Sequence, residues 1–144
     1  MTTKKSFFVD GSIPSQRVAD SIEKHRTKTT IGAHEIFLGQ VRADEIAGEK
    51  VIAIEFSAYT EMAEEIIAII REETITKHEL TCAHVLHSLG KVNAGELCLF
   101  VFTSSAHRKA ASSACSEITE RIKKEVPIFG KEIFENQEFQ WKVN

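Results

Sequence analysis

The chain has 144 residues and a formal net charge of -3, with 18 Lys+Arg against 21 Asp+Glu. Hydrophobic residues make up 42% and charged residues 27%, and there are 7 Gly and 2 Pro, which excludes a disordered, collagen-like or low-complexity chain. The acidic balance excludes a global positive field for a nucleic acid backbone, and no apolar run approaches the length of a membrane span.

Residues 1–144 read as one domain, with no repeat, linker or break in composition. Phe7-Phe8-Val9 is too short for a secretion signal, so the expected compartment is the cytoplasm. Cys82, Cys98 and Cys115 form no CxxC pair and read as reduced, structural thiols.

Residues 6–9 predict a short strand. A helix follows from Ser12-Ile13-Pro14 to about residue 25, with Val18 and Ile22 at helical spacing. Residues 31–41 predict a strand, and the polar stretch Arg42 to Lys50 a loop. The next strand covers residues 51–58. Val51, Ala53, Glu55 and Ser57 fall on one face, and Ile52, Ile54 and Phe56 on the other. Thr60 is the expected N-cap of a helix reaching about residue 77, with Met62, Ile66, Ile69 and Ile70 as its buried stripe. Residues 80–88 and 96–104 predict two antiparallel strands joined by GKVNAG. Ser104 or Ser105 should cap a third helix over residues 106–125, with Ala111, Ala114, Cys115, Ile118 and Ile122 buried. Pro127 ends it, because the residue before a proline avoids the helical region. Residues 131–135 and 138–143 predict a last hairpin around Asn136-Gln137. The fold class is therefore α+β with mostly antiparallel strands.

Three places carry chemistry. In Thr103-Ser104-Ser105-Ala106-His107-Arg108 a strand gives way to a helix, so free backbone N–H groups, the helix dipole and two basic side chains share one anion-attracting region. Arg121, Lys123, Lys124 and Lys131 surround Val126-Pro127-Ile128-Phe129-Gly130, where apolar walls could enclose a lysine. Gly39-Gln40-Val41-Arg42 ends a strand on an arginine. His84 and His87, three apart on a strand, point to opposite faces and should share no metal. His34 reads as a hydrogen-bonded strand histidine, and Glu61, Glu64 and Glu65 as a solvated helix face. His107 and Lys123 lie sixteen residues apart on one helix, about 24 Å along its axis. They cannot hold one small substrate within a protomer, so a shared site needs a two-fold dimer.

Five segments in this order resemble the large, catalytic subunit of molybdopterin synthase: FLGQVR (37–42), IEFSAYTEMAEE (54–65), VLHSLGKVNAGE (85–96), TSSAHRKA (103–110) and IKKEVPIFGKEIFE (122–135). The resemblance implies an α/β hammerhead fold with a small additional β subdomain, and a central homodimer with composite active sites. Each protomer would bind a small ubiquitin-like sulfur carrier ending in a Gly-Gly thiocarboxylate, making a heterotetramer. Sulfur would pass to cyclic pyranopterin monophosphate to form the molybdopterin dithiolene, with no metal and no organic cofactor at this step. By the same resemblance, Gln40, Val41, Arg42, His107, Arg108, Gly130 and Glu132 bind substrate, and Lys123 stands beside the carrier's terminal glycine. Many relatives read Pro-x-Trp-Lys-(Lys/Arg)-Glu, and the position of that catalytic lysine is Gly130 here. Lys131 is the expected substitute. Relatives also often read His-Arg where this chain has His87-Ser88. Two other readings remain open on the residues alone: a non-catalytic module that captures the tail of a ubiquitin-like carrier, and a binder of phosphorylated ligands.

Overall fold

The computed structural model describes residues 6–143 of the chain. The elements, in chain order, are β1 (Phe8–Asp10), α1 (Ser15–Lys24), β2 (Ala33–Gln40), β3 (Glu45–Ile46), β4 (Glu49–Ala58), α2 (Thr60–His78), β5 (Cys82–Asn93), β6 (Leu97–Ser105), α3 (Arg108–Glu125), β7 (Ile128–Phe134) and β8 (Phe139–Trp141). The strands run in the order β2-β6-β5-β4-β7-β8, with β1 added on β5 and β3 on β4. Every pairing is antiparallel except β1 with β5. The fold class is the α+β arrangement expected from the sequence.

Strand β6 is the centre of the main sheet, and its alternation builds two cores. Leu99 and Val101 face α2 and α3, where Ile67, Ile70, Ile118 and Ile122 join them. Phe100 and Phe102 face the other way and pack with Ile13, under α1 and Val18. A third small cluster, Val41, Ile54 and Val92, lies where the sheet turns toward β4 and β7.

The sheet turns within β5. Residues 82–87 pair with β6, whereas Gly90 to Asn93 pair with β4. Gly90 sits between them at φ 83°, an angle that costs glycine nothing and any other residue a steric clash. The segment expected as a connecting loop, Gly90-Lys91-Val92-Asn93, is therefore strand. It belongs to the smaller sheet region formed with β4, β7, β8 and β3.

Other expectations need correction. The stretch from Arg42 to Lys50 is not all loop: β3 and β4 form a hairpin closed by Ala47 (φ 52°) and Gly48 (φ 82°), the paired positive angles of a tight type I′ turn. Thr60 is the first helical residue of α2, and Tyr59 occupies the cap without a side-chain bond. The buried stripe of α2 is Ala63, Ile67, Ile70 and Thr74, while Met62 and Ile69 are exposed. Ser104 and Ser105 are strand residues of β6, and His107 is the N-cap of α3. The buried stripe expected for α3 is present, extended by Thr119. Strand β7 begins at Ile128, three residues before its expected start.

Candidate functional site

One cavity of about 840 Å³ opens where β2, the end of α3 and β7 meet. The end of β2 and the residues after it give Gln40, Val41 and Arg42. The last turn of α3 gives Lys123 and Lys124. Strand β7 gives Ile128, Gly130 and Glu132, alternate residues that share one face. Ile54, Phe56, His87, Cys98 and Leu99 also line it, and Lys142 closes one side. Two of the three regions singled out in the sequence, Gly39–Arg42 and the stretch from Lys123 to Gly130, thus reach one space.

Its charge is mixed. Arg42 pairs with Asp44 at 3.3 Å. Glu132 is buried and accepts a hydrogen bond from Gln140 Nε2 at 3.2 Å. Neither Lys123 nor Lys142 is paired with a carboxylate among the described residues. Unneutralised ammonium groups over apolar walls suit an anionic ligand, because a charge-assisted hydrogen bond strengthens as water is excluded.

Two uncharged groups sit deeper. The Cys98 thiol donates to the Gly39 carbonyl at 3.5 Å. Burial pushes its pKa up, against the opposing pull of Lys123 and Lys142, so it stays protonated. His87 is buried, and burial lowers its pKa to about 4. Its Nδ1 lies 2.8 Å from the Ser88 carbonyl. A carbonyl only accepts, so Nδ1 carries the proton and Nε2 the lone pair. Neither residue was singled out for this cavity in the sequence. His87 lies in the VLHSLGKVNAGE segment, but its alternation with His84 along the strand does not show that it faces the cavity.

The remaining expected site residues lie elsewhere. His107 and Arg108 are exposed at the start of α3, outside the cavity. The Ser105 hydroxyl donates to the His107 carbonyl, which fixes that junction. Lys131 is also absent from the lining. It follows Gly130 on β7 and so faces the opposite side, with its Nζ 4.3 Å from the centroid of the Phe139 ring. The expectation that Lys131 reaches the site in place of a lysine at position 130 is corrected on that ground.

On a different face, ligand-type atoms of His25, Cys82 and His84 lie within 4.8 Å of one another. Hydrogen bonds already engage them. His25 Nε2 meets His84 Nε2 at 3.0 Å, His25 Nδ1 meets the Ser21 carbonyl at 2.6 Å, and Lys28 Nζ donates to Cys82 Sγ at 2.8 Å. His34, as expected for a strand histidine, bonds Ser104 Oγ at 2.7 Å.

The family model for the MoaE protein matches residues 12–125, which include the Gln40–Arg42 segment, the start of α3 and Lys123. The chain belongs to the MoaE family. It is 35% identical over 113 residues to the molybdopterin synthase catalytic subunit of Pyrococcus abyssi, covering 78% of this chain and 76% of that protein. Among solved structures it is similar to molybdopterin synthase from Staphylococcus aureus, with a TM-score of 0.82 and 31% identity over 99% of this chain and 100% of that one. The fold also matches a complex of subunits 1 and 2 of molybdopterin-converting factor from Helicobacter pylori, at a TM-score of 0.80 and 17% identity, over 95% of this chain and 89% of that one. As a MoaE-family chain it carries the enzyme's fold around the cavity described above. Among the described residues, no helix is long and apolar enough to cross a membrane.

Proposed function

We propose that this cavity is the sulfur-transfer site of a molybdopterin synthase catalytic subunit. The chain's activity is that of its family: sulfur moves from the thiocarboxylated C-terminus of a small carrier subunit to cyclic pyranopterin monophosphate. The observation that carries the site assignment is the meeting of Gln40–Arg42, Lys123 and the Gly130–Glu132 segment in one space, although more than eighty residues separate the first group from the second.

The roles follow from charge and geometry. The carrier's tail is extended and anionic, so it suits a groove walled by Ile128 and Val126 with Lys123 at its end. When the sulfur leaves the carrier's acyl carbon, water must supply the oxygen that replaces it, and negative charge builds on the acyl oxygen. The Lys123 ammonium can hold that charge or pass a proton. Neutral His87, with its Nε2 lone pair, offers a hydrogen-bond acceptor near Lys123. Arg42 binds substrate oxygens at the rim.

His107 and Arg108 act in the partner's site. They mark the opposite end of α3 from Lys123, about 24 Å away, and their exposed, basic helix start suits the substrate phosphate. The working unit is a homodimer with one carrier per protomer, and its three unpaired thiols suit the reducing cytoplasm.

Reconstitution tests this. The protein is mixed with thiocarboxylated carrier and cyclic pyranopterin monophosphate, and the dithiolene product is assayed. Product from wild type, and none from Lys123→Ala with its fold intact, is the expected result. Carrier binding without turnover would support the tail-binding module instead. Normal turnover by Lys123→Ala would overturn the site.

A further inference from the structure

Besides Lys123 and Lys124 from the end of α3, the cavity is lined by a third lysine, which comes from the far side of the β7–β8 hairpin. Lys142 follows β8, and its backbone N–H donates to the Gly130 carbonyl at 2.8 Å. Both residues line the cavity that Lys123 enters. A Cβ placed on Gly130 would lie 3.1 Å from Ile54 Cγ2, 3.5 Å from Phe56 Cε1 and 3.7 Å from Lys142 Cβ. The first of these is tighter than ordinary contact. Gly130 is not among the glycines with positive φ, so its backbone does not require glycine. The bare Cα instead leaves open the space beside the Lys142 stem.

Three further observations place the Lys142 charge in the site. The side chain is half-buried, whereas Lys123 is exposed. Lys123, Lys142 and Cys98 line the same cavity, and the positive charges of both lysines oppose the upward push of burial on the Cys98 thiol. No carboxylate pairs with Lys142 among the described residues. Lys131, the other lysine of this hairpin, is held away by the Phe139 and Trp141 rings, 4.3 and 5.8 Å from its Nζ.

We propose that Lys142 is the second functional amine of the sulfur-transfer site, and that Gly130 is the gap through which it reaches the cavity. The proposal rests on the sulfur-transfer reading above. A thiocarboxylate spreads one negative charge over sulfur and oxygen. Two ammonium groups from opposite walls can hold both ends at once, and can keep hold of the oxygen as charge concentrates there. Lys142 makes no covalent bond in this role. It donates hydrogen bonds and positions the acyl group against Lys123.

The experiment compares Lys142→Ala, Lys142→Arg, Lys131→Ala and wild type in the reconstituted assay. Lys142→Ala should lower the rate about 100-fold, the scale of losing one oriented donor to a developing oxyanion. Lys142→Arg should recover part of it, because the charge remains. Lys131→Ala should lose far less than Lys142→Ala. The proposal falls if the order of the two alanine variants is reversed, or if Lys142→Ala turns over like wild type.

A second readout needs no sulfur transfer. Alkylation of Cys98 by iodoacetamide, followed by mass spectrometry across pH, reports the charges around its thiol. Lys142→Ala should move the Cys98 profile to higher pH, and Lys131→Ala should not. An unmoved profile in Lys142→Ala means that its ammonium does not enter the cavity, which overturns the proposal. A moved profile with an inactive wild type would count against the sulfur-transfer reading and leave Lys142 as a ligand-binding amine of the cavity.

Discussion

A Cβ on Gly32 would stand 2.2 Å from the carbonyl oxygen of Ala106. The Gly32 N–H also donates to the Ser105 carbonyl at 3.0 Å. The approach to β2 is thus pressed against the junction that sets His107 and Arg108 at the head of α3. Gly32→Ala must push one backbone off the other, since no flexible side chain is there to give way. The expected cost is about 1–3 kcal/mol of stability, the range for overpacking. Substrate affinity should fall with it, because the helix start moves. Thermal unfolding and calorimetric titration of the substrate check both. A variant with normal stability and affinity would mean that the junction does not position the His-Arg pair.

His87 links pH to stability. Its folded pKa is about 4, held down first by burial, against an unfolded value near 6.5. Between those values the unfolded chain takes up a proton that the folded chain refuses. The contribution of His87 is therefore fully present above pH 6.5 and is lost as pH falls toward 4. The loss across that window is about 3 kcal/mol. Urea unfolding at pH 7 and pH 4 should show a smaller drop for His87→Gln than for wild type. Equal drops would assign the acid sensitivity to other groups.

Ser88, next in the chain, is fully buried, and its Oγ has no hydrogen-bond partner among the described residues. A buried hydroxyl without a partner carries a desolvation cost and returns nothing. Ser88→Ala removes the oxygen and keeps nearly the same volume. It should stabilise the fold by about 1 kcal/mol, seen as a rise of a few degrees in Tm. A fall in Tm would show that the hydroxyl is bonded to an ordered water.

The difference between what the sequence disclosed and what it hid has physical causes. Helix α3 was legible because its apolar positions are sparse and fall on one face, so Ala111, Ala114, Cys115, Ile118 and Ile122 admit one orientation. Helix α2 carries Ile66, Ile67, Ile69 and Ile70, and such a run has no unique face. Packing chose Ile67 and Ile70 and left Ile69 exposed. The bend of β5 rests on the single φ of Gly90, which a GKVNAG stretch also fits as a turn. Gln40, Val41, Arg42 and Lys123 belong to local motifs and could be named in advance. Lys142 belongs to none. It reaches the cavity only because β8 pairs with β7 in a register that sets Trp141 opposite Lys131 and Lys142 beside Gly130. The available signal was an isolated lysine just beyond a short terminal strand, in a chain lacking a lysine at position 130.

The proposed dimeric site makes a prediction that needs no structure of the complex. Lys123→Ala and Arg108→Ala should each be inactive alone, because both sites of each homodimer lack one essential group. When the two variants are unfolded together and refolded, half of the dimers are mixed. If each site joins Lys123 of one protomer with Arg108 of its partner, a mixed dimer has one site with both defects and one with neither. Activity should then return to about a quarter of wild type. If each site were built within one protomer, every site in the mixed dimer would keep one defect and the mixture would stay inactive. The separation of about 24 Å along α3 favours the first outcome. An inactive mixture, with mixed dimers confirmed by native mass spectrometry, would mean that Lys123 and Arg108 of one protomer serve the same site, and would overturn the composite site.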